Sequence, residues 1–198
     1  MSRILIIGAG AAGLMAAIFA GRAGAHPMIL EQNEKVGKKL YITGKGRCNC
    51  TNDCELEDFL REVPRNPRFL YSALHFFNPQ DLMALLEVAG CPVIVQRGKR
   101  VFPASEKSSD VIRALTGLAQ RAGAEIRLHQ RVTGIIVEGQ RVLGVSLANG
   151  TSLDADAVIL AAGTGSPRYQ EVRCHQNCCG EDFRPLICFW QSYRILYS

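Results

Sequence analysis

The stretch RILIIGAGAAGLMAA (Arg3–Ala17) runs from a short apolar segment through three spaced glycines into a segment rich in Ala, Leu and Met. Arg3 to Ile7 has the β-branched, uninterrupted apolar character of a strand buried on both faces of a parallel sheet. Ala11 to Ala25 reads as a helix, and Pro27 to Glu31 as a second apolar strand that ends in an acid. Strand, glycine turn, helix and strand together make a βαβ unit of about 30 residues, which predicts an α/β fold.

Gly8, Gly10 and Gly13 fit G-x-G-x-x-G in the context that gives the motif meaning, between a strand and a helix. The first glycine permits a tight turn, the second lets backbone approach a pyrophosphate, and the third allows close helix–strand packing. The helix N-terminus adds unpaired N–H groups and about half a positive charge, both suited to phosphate. Ala9 and Ala12, interleaved with the glycines, belong to the same cofactor-binding set. Glu31 lies 18 residues beyond Gly13, where a carboxylate can accept both ribose hydroxyls and repel a 2′-phosphate. A bare glycine turn would also suit an ordinary α/β sheet; the strand, helix and terminal acid around this one favour dinucleotide binding.

Working outward, Gln32 to Cys54 shows no period and reads as a long loop, a kind of segment that is uncommon unless functional. Asn78-Pro79 predicts a helix start, and PQDLMALLEVAG carries a helical period that stops at Gly90. CPVIVQRGKRVFP reads as two short strands around Arg97-Gly98. Ser108 or Ser109 is placed to cap a helix running through Ala122, with Gly123 just beyond. RVTGIIVEG, RVLGVSLANG and TSLDA then predict a three-stranded meander, with Asn149-Gly150 the stronger hairpin signal. AVILAAG closes the pattern as a buried strand running into Gly163.

This order separates FAD from NAD. In an NAD domain the acid-ended strand leads into another βα repeat, whereas here it leads into a basic loop, helices and a meander. The arrangement resembles the FAD-binding superfamily with glutathione-reductase-like folds. That resemblance implies a Rossmann-like FAD-binding domain with a β-meander crossover. It implies that Val132, opening the meander, meets adenine, and that VILAAG (Val158–Gly163) forms the turn against the flavin, with Ala162 in place of the usual Thr and Gly163 after it.

GKKLYITGKGRCNCTN (Gly37–Asn52) narrows the family. It resembles the loop G-[RK]-K-x-x-x-[ST]-G-x-G-R-C-N-x-T-N of bacterial FAD flavoproteins known as aminoacetone oxidase-like or 3-dehydro-bile acid delta-4,6-reductase-like. GKRVFPASEKSSDV (Gly98–Val111) resembles a second signature of that family. The likeness covers roughly residues 3 to 163 and implies an oxidoreductase with FAD as cofactor and NAD(P)H or the substrate as electron donor. Lys39 and Arg47 can neutralise a pyrophosphate, Arg with two oxygens at once. Gly44 and Gly46 admit backbone near the cofactor, and Cys48 belongs to the motif. Asn49, Thr51 and Asn52 suit either hydrogen bonds to flavin edges or bonds that hold the loop on itself.

Composition excludes other classes. The 198 residues are 47% hydrophobic and 21% charged, ordinary for a globular chain. No apolar run reaches the roughly 18 residues of a membrane span, and the N-terminus lacks a signal-peptide pattern. A net charge of +5 with Lys35, Lys38, Lys39, Lys45 and Arg47 close together comes without aromatic platforms or a groove-reading helix. The expectation is therefore a small-molecule substrate, without nucleic acid or membrane as partner. Eight cysteines without a secretory signal suggest free thiols in a reducing cytoplasm. Cys48, Cys50 and Cys54 form C-x-C-x3-C without paired knuckles, and Cys174, Cys178, Cys179 and His175 do not resemble a zinc ribbon, so no metal is expected. His26, His75 and His129 read as structural or exposed.

Past Gly163 the period is lost, and residues 164–198 hold four of the eight cysteines and the single Trp. The expectation is an FAD-binding domain over 1–163, incomplete at its C-terminus, followed by an irregular tail such as an out-of-frame translation produces. The family's flavin-ring contacts, substrate pocket and catalytic acid are not recognisable, so no catalytic residue is assigned. An exposed half-site would favour self-association.

Overall fold

Alternation within Arg3–Ile7 places Leu5 and Ile7 on one face of the first strand and Ile6 on the other, and all three are buried. The computed structural model describes residues 1–139 and 141–162 and the backbone of 173–174. In chain order the strands are β1 (Arg3–Ile7), β2 (His26–Leu30), β3 (Thr51–Asn52), β4 (Val93–Gln96), β5 (Arg100–Pro103), β6 (Glu125–Arg127), β7 (Val132–Glu138), β8 (Arg141–Leu147), β9 (Ser152–Asp154), β10 (Ala157–Leu160) and β11 (Arg173–Cys174). The α-helices are α1 (Ala11–Arg22), α2 (Leu56–Arg61), α3 (Tyr71–Phe76), α4 (Pro79–Val88) and α5 (Ser108–Arg121).

Within the span read as one domain, the described chain forms two units, residues 1–38 with 116–162 and residues 39–115. The first unit holds a parallel sheet in the order β10-β1-β2-β6. Its central strand β1 is in register with both neighbours, Ile6 opposite Ile29 on one side and Ile159 on the other. A second sheet, β11-β7-β8-β9, contains the antiparallel meander. Leu5, Ile7 and Leu30 of the parallel sheet form one core with Ile135, Val145 and Leu147 of the meander. The other face is covered by α1, whose Leu14 and Ile18 are fully buried and contribute about 1.5–3 kcal/mol each by leaving water. Where α1 passes Ala122, a side chain at Gly21 would lie 2.0 Å from the Ala122 carbonyl oxygen, which fixes that position as glycine.

The second unit carries the antiparallel sheet β3-β5-β4. Asn78 caps α4 in a capping box, accepting from the Asp81 amide while the Asp81 carboxylate accepts from the Asn78 amide. Phe59 of α2 packs with Leu70 and Leu74 in a small cluster.

Several expectations are corrected in detail. The helix expected through Ala25 ends at Arg22, because Gly24 takes a positive φ and Ala25 starts the return to β2. The segment expected as one loop contains a pair of tight helical turns over Leu40–Gly46 and the strand β3. The helix expected to be capped by Ser108 or Ser109 starts at Ser108, so both serines lie in its first turn. Strand β6 and helices α2 and α3 were not expected, each being too short to show a hydrophobic period. The expected tail, with its cysteines and His175, and the Gly163 turn lie outside the described residues, apart from the backbone of Arg173–Cys174. Among the described residues no helix is long and apolar enough to cross a membrane.

Candidate dinucleotide-binding site

The site in the first unit lies at the carboxyl ends of β1, β2 and β10, where open parallel sheets place their ligands. Gly8 turns the chain with φ +104°, a value side chains resist, and its amide donates to the Leu30 carbonyl at 2.8 Å. A Cβ on Gly13 would sit 1.9 Å from the Gly8 carbonyl oxygen, so the helix approaches the turn only because that atom is missing. Gly10 differs from both. Its φ of −76° is available to any residue, and a Cβ there would meet nothing within 4 Å. The space that a Cβ would enter is the approach to the helix N-terminus.

That N-terminus fits a pyrophosphate. No side chain caps α1, and its first turn holds no acid, so the leading amides keep their donors and the dipole keeps its positive end. Ala9 is fully buried, and Ala12 is half-buried in the first turn. The Ala9 carbonyl accepts from Gly37 at 2.8 Å, which ties the chain leaving β2 back to the turn. On the far side of β1, Ala161 donates to the Ile7 carbonyl, and its own carbonyl oxygen lies 3.0 Å from where a Gly8 Cβ would be. Ala162 packs on the core shared by sheet and meander, as does half-buried Val132.

Glu31 is the one buried acid here, only 7% exposed. Its Oε2 accepts from the Ala9 amide at 2.8 Å, while Oε1 accepts from the Asn33 amide at 2.9 Å and from Asn33 Nδ2 at 2.6 Å. Three of about four acceptor positions on an ionised carboxylate are thus filled by protein. Against the expectation that Glu31 accepts both ribose hydroxyls stand three protein donors already on its carboxylate. Asn33 was missed in the sequence, although Glu-x-Asn at a strand end is a spacing at which an Asn side chain can fold back on a neighbour.

Lys39, Gly46, Arg47, Cys48 and Asn49 belong to the second unit. Lys39 is exposed at the start of the tight turns. Gly46 has φ +88°. Arg47 donates through Nη1 to Glu106 Oε1 at 3.0 Å and to Gln96 Oε1 at 3.2 Å, and its guanidinium stacks 4.4 Å from the Phe102 ring centroid. It therefore joins the first family signature to the second. The Glu106 carboxyl is held below the usual carboxylate range, first by the Arg47 hydrogen bond, then by that from Gln96 and by the Arg47 charge.

The loop also holds itself. Thr43 Oγ1 donates to the Leu40 carbonyl at 2.9 Å, and Asn52 Nδ2 donates to the Gly98 carbonyl at 2.9 Å. With its amide nitrogen turned toward β5, Asn49 donates to the carbonyls of Val101 and Thr51 at 3.2 and 3.1 Å. Of the two roles open for Asn49 and Asn52, these bonds are of the loop-stabilising kind. A Cβ on Gly44 would lie 2.8 Å from the Asn49 amide nitrogen, so that glycine serves the same compaction.

Cys48 and Cys50 are buried, and Cys50 Sγ donates to the Cys48 carbonyl at 3.4 Å. The Cys48 thiol is lowered from its ordinary value, chiefly by a hydrogen bond from Cys50, against the opposing effect of burial. Cys50 is raised by its hydrogen bond to Cys48 and by burial. The four described cysteines are free thiols. A separate cleft in this unit, about 340 Å3, is lined by Asn52, Asp58, Arg61 and Lys99 among others, with Arg61 already paired to Asp58 at 2.7 Å.

Comparison with known proteins extends the geometry. A family model described as HI0933-like protein Rossmann domain matches residues 2–169. The 3-dehydro-bile acid delta(4,6)-reductase of Clostridium scindens is 36% identical over 168 residues, covering 82% of this chain and 39% of that protein. The ribosomal RNA dihydrouridine synthase of Escherichia coli is 28% identical over 161 residues, covering 80% of this chain and 38% of that protein. The chain thus spans under two fifths of these relatives. In structure it is similar to a 3-ketosteroid-delta4-(5alpha)-dehydrogenase from Rhodococcus jostii, with a TM-score of 0.61 at 17% identity over 82% of this chain and 46% of that one. That likeness concerns the fold.

Proposed function

The chain belongs to the HI0933-like family and carries its Rossmann-like, FAD-binding domain, and from that premise we propose that Gly8–Gly13 and Glu31 hold the adenosine and pyrophosphate half of FAD in an oxidoreductase. The observation that carries the reading is the uncapped, acid-free N-terminus of α1 behind an open Gly10, with a buried carboxylate at the end of the next strand. Amides of the first helical turn bind the phosphates, and Gly10 lets them approach. Glu31 accepts from the ribose and repels a 2′-phosphate. The backbone of Ala161 and Ala162, just past β10, lies against Gly8. Val132 supplies apolar contact for adenine. Cys48, Asn49 and Gly46 shape the loop that Arg47 pins.

When bound, the flavin supplies hydride transfer, with NAD(P)H or the substrate itself as donor. A small-molecule substrate is supported by the 36% identical bile-acid reductase relative, against the 28% identical ribosomal RNA dihydrouridine synthase. The reading of a cytoplasmic protein rests on the free described thiols.

A second reading is a nucleotide-binding module without turnover. The test is the flavin content of the purified chain, followed by addition of NADH or NADPH. Stoichiometric FAD that bleaches with a donor supports the oxidoreductase. FAD that stays oxidised supports the module, and a colourless protein that takes up no added FAD contradicts both.

A further inference from the structure

We infer that Asn33 occupies one oxygen of the Glu31 carboxylate, so that Glu31 reads a single hydroxyl of the adenosine ribose and Asn33 is the positioning residue that enforces this. The inference rests on the proposed dinucleotide site and concerns how that site reads its ligand. A ribose presents two neighbouring hydroxyls, and a carboxylate that accepts both needs an open acceptor position for each. Glu31 Oε1 has none open, because the Asn33 backbone amide and Nδ2 reach it at 2.9 and 2.6 Å. Oε2 has one partner, the Ala9 amide at 2.8 Å, and one position left.

The arrangement is held from several sides. Lys38 Nζ lies 3.4 Å from Asn33 Oδ1, which orients the amide with its nitrogen toward Glu31. The Asn33 carbonyl accepts from the His129 amide at 3.3 Å. The Glu31 backbone is paired on both sides, its amide to the Arg127 carbonyl at 2.9 Å and its carbonyl to the Gln130 amide at 2.8 Å. Rotating the carboxylate to present both oxygens would break the Ala9 bond at a carboxylate only 7% exposed. Asn33 acts through Glu31, which it holds by two hydrogen bonds.

The test compares ADP, 2′-deoxy-ADP and 3′-deoxy-ADP by calorimetry on the full chain and on its Asn33→Ala variant. For the unaltered chain, one deoxy analogue loses about tenfold in affinity and the other stays within about twofold of ADP, the size expected for one hydrogen bond to a charged acceptor. In Asn33→Ala the freed position on Oε1 takes the second hydroxyl, and both analogues lose about tenfold. A merely structural Asn33 would weaken all three ligands together and leave their ratios unchanged, which overturns the inference. Equal losses for the two analogues on the unaltered chain overturn it as well, without reference to whether the variant folds. Failure of both FAD and ADP to bind is a different result, which brings down the dinucleotide site and the inference with it.

Discussion

Gly10 and Gly13 stand three positions apart and have opposite reasons to be glycine. Gly13→Ala drives a Cβ to 1.9 Å from the Gly8 carbonyl oxygen, so backbone must move, and the expected cost is about 3 kcal/mol in urea unfolding. Gly10→Ala meets no atom within 4 Å at an ordinary φ, and it is expected to leave stability within about 1 kcal/mol, the gain through the unfolded chain offset by a poorer N-cap residue. Its FAD affinity is expected to fall at least about tenfold, since the methyl enters the phosphate approach. A Gly10→Ala chain that binds FAD undiminished would remove the pyrophosphate from this turn. These roles were legible in the sequence because each follows from the missing Cβ within a known spacing. The partners of Glu31 were not. The strand-end position of the acid follows from periodicity, but the fold-back of Asn33 and the Ala9 amide depend on where three segments meet in space.

At the scale of elements, β1, α1, β2 and the β7–β8–β9 meander were legible because each carries a run or period of apolar residues bounded by glycine or an Asn-Gly pair. The capped start of α4 was equally plain from Asn78-Pro79. Strand β6 was hidden because Glu125 and Arg127 flank its one apolar residue, and its identity comes from pairing with β2. The loop around Arg47 was legible as a motif but not in its function as a tie. Arg47 invites assignment to phosphate, while the structure engages it with Glu106, Gln96 and Phe102.

That tie has a pH signature. Glu106 is depressed in the folded chain, so its stabilising contribution is present above the ordinary carboxylate pKa and is lost as pH falls through its lower folded value. Glu106→Gln should therefore flatten part of the acid decline of the melting temperature below about pH 4.5, with little change at neutral pH because the pair is exposed to solvent. Identical acid profiles for the two chains would show that the pair contributes nothing.

For the molecule as a whole, the split into two units was the least legible feature. Residues 39–115 are inserted between β2 and the segment that returns to β6, and both stretches have the composition of an ordinary globular chain. Only the contacts separate them. If the first unit binds FAD, saturation at 100 times Kd should stabilise the folded chain by about 2.7 kcal/mol, measured as a rise in the urea midpoint. A midpoint indifferent to FAD would mean that the folded and unfolded chains bind it equally.

The parallel sheet also sets a timetable. Strand β1 is synthesised first and occupies the centre, yet Ala157, the partner of its Ile4, emerges about 150 residues later, roughly 8–30 s at ribosomal speed. Until then a strand with Leu5, Ile6 and Ile7 all destined for the core has one edge open. A stalled or shortened product lacking β10 would leave the Ile4–Ile7 edge open to another strand.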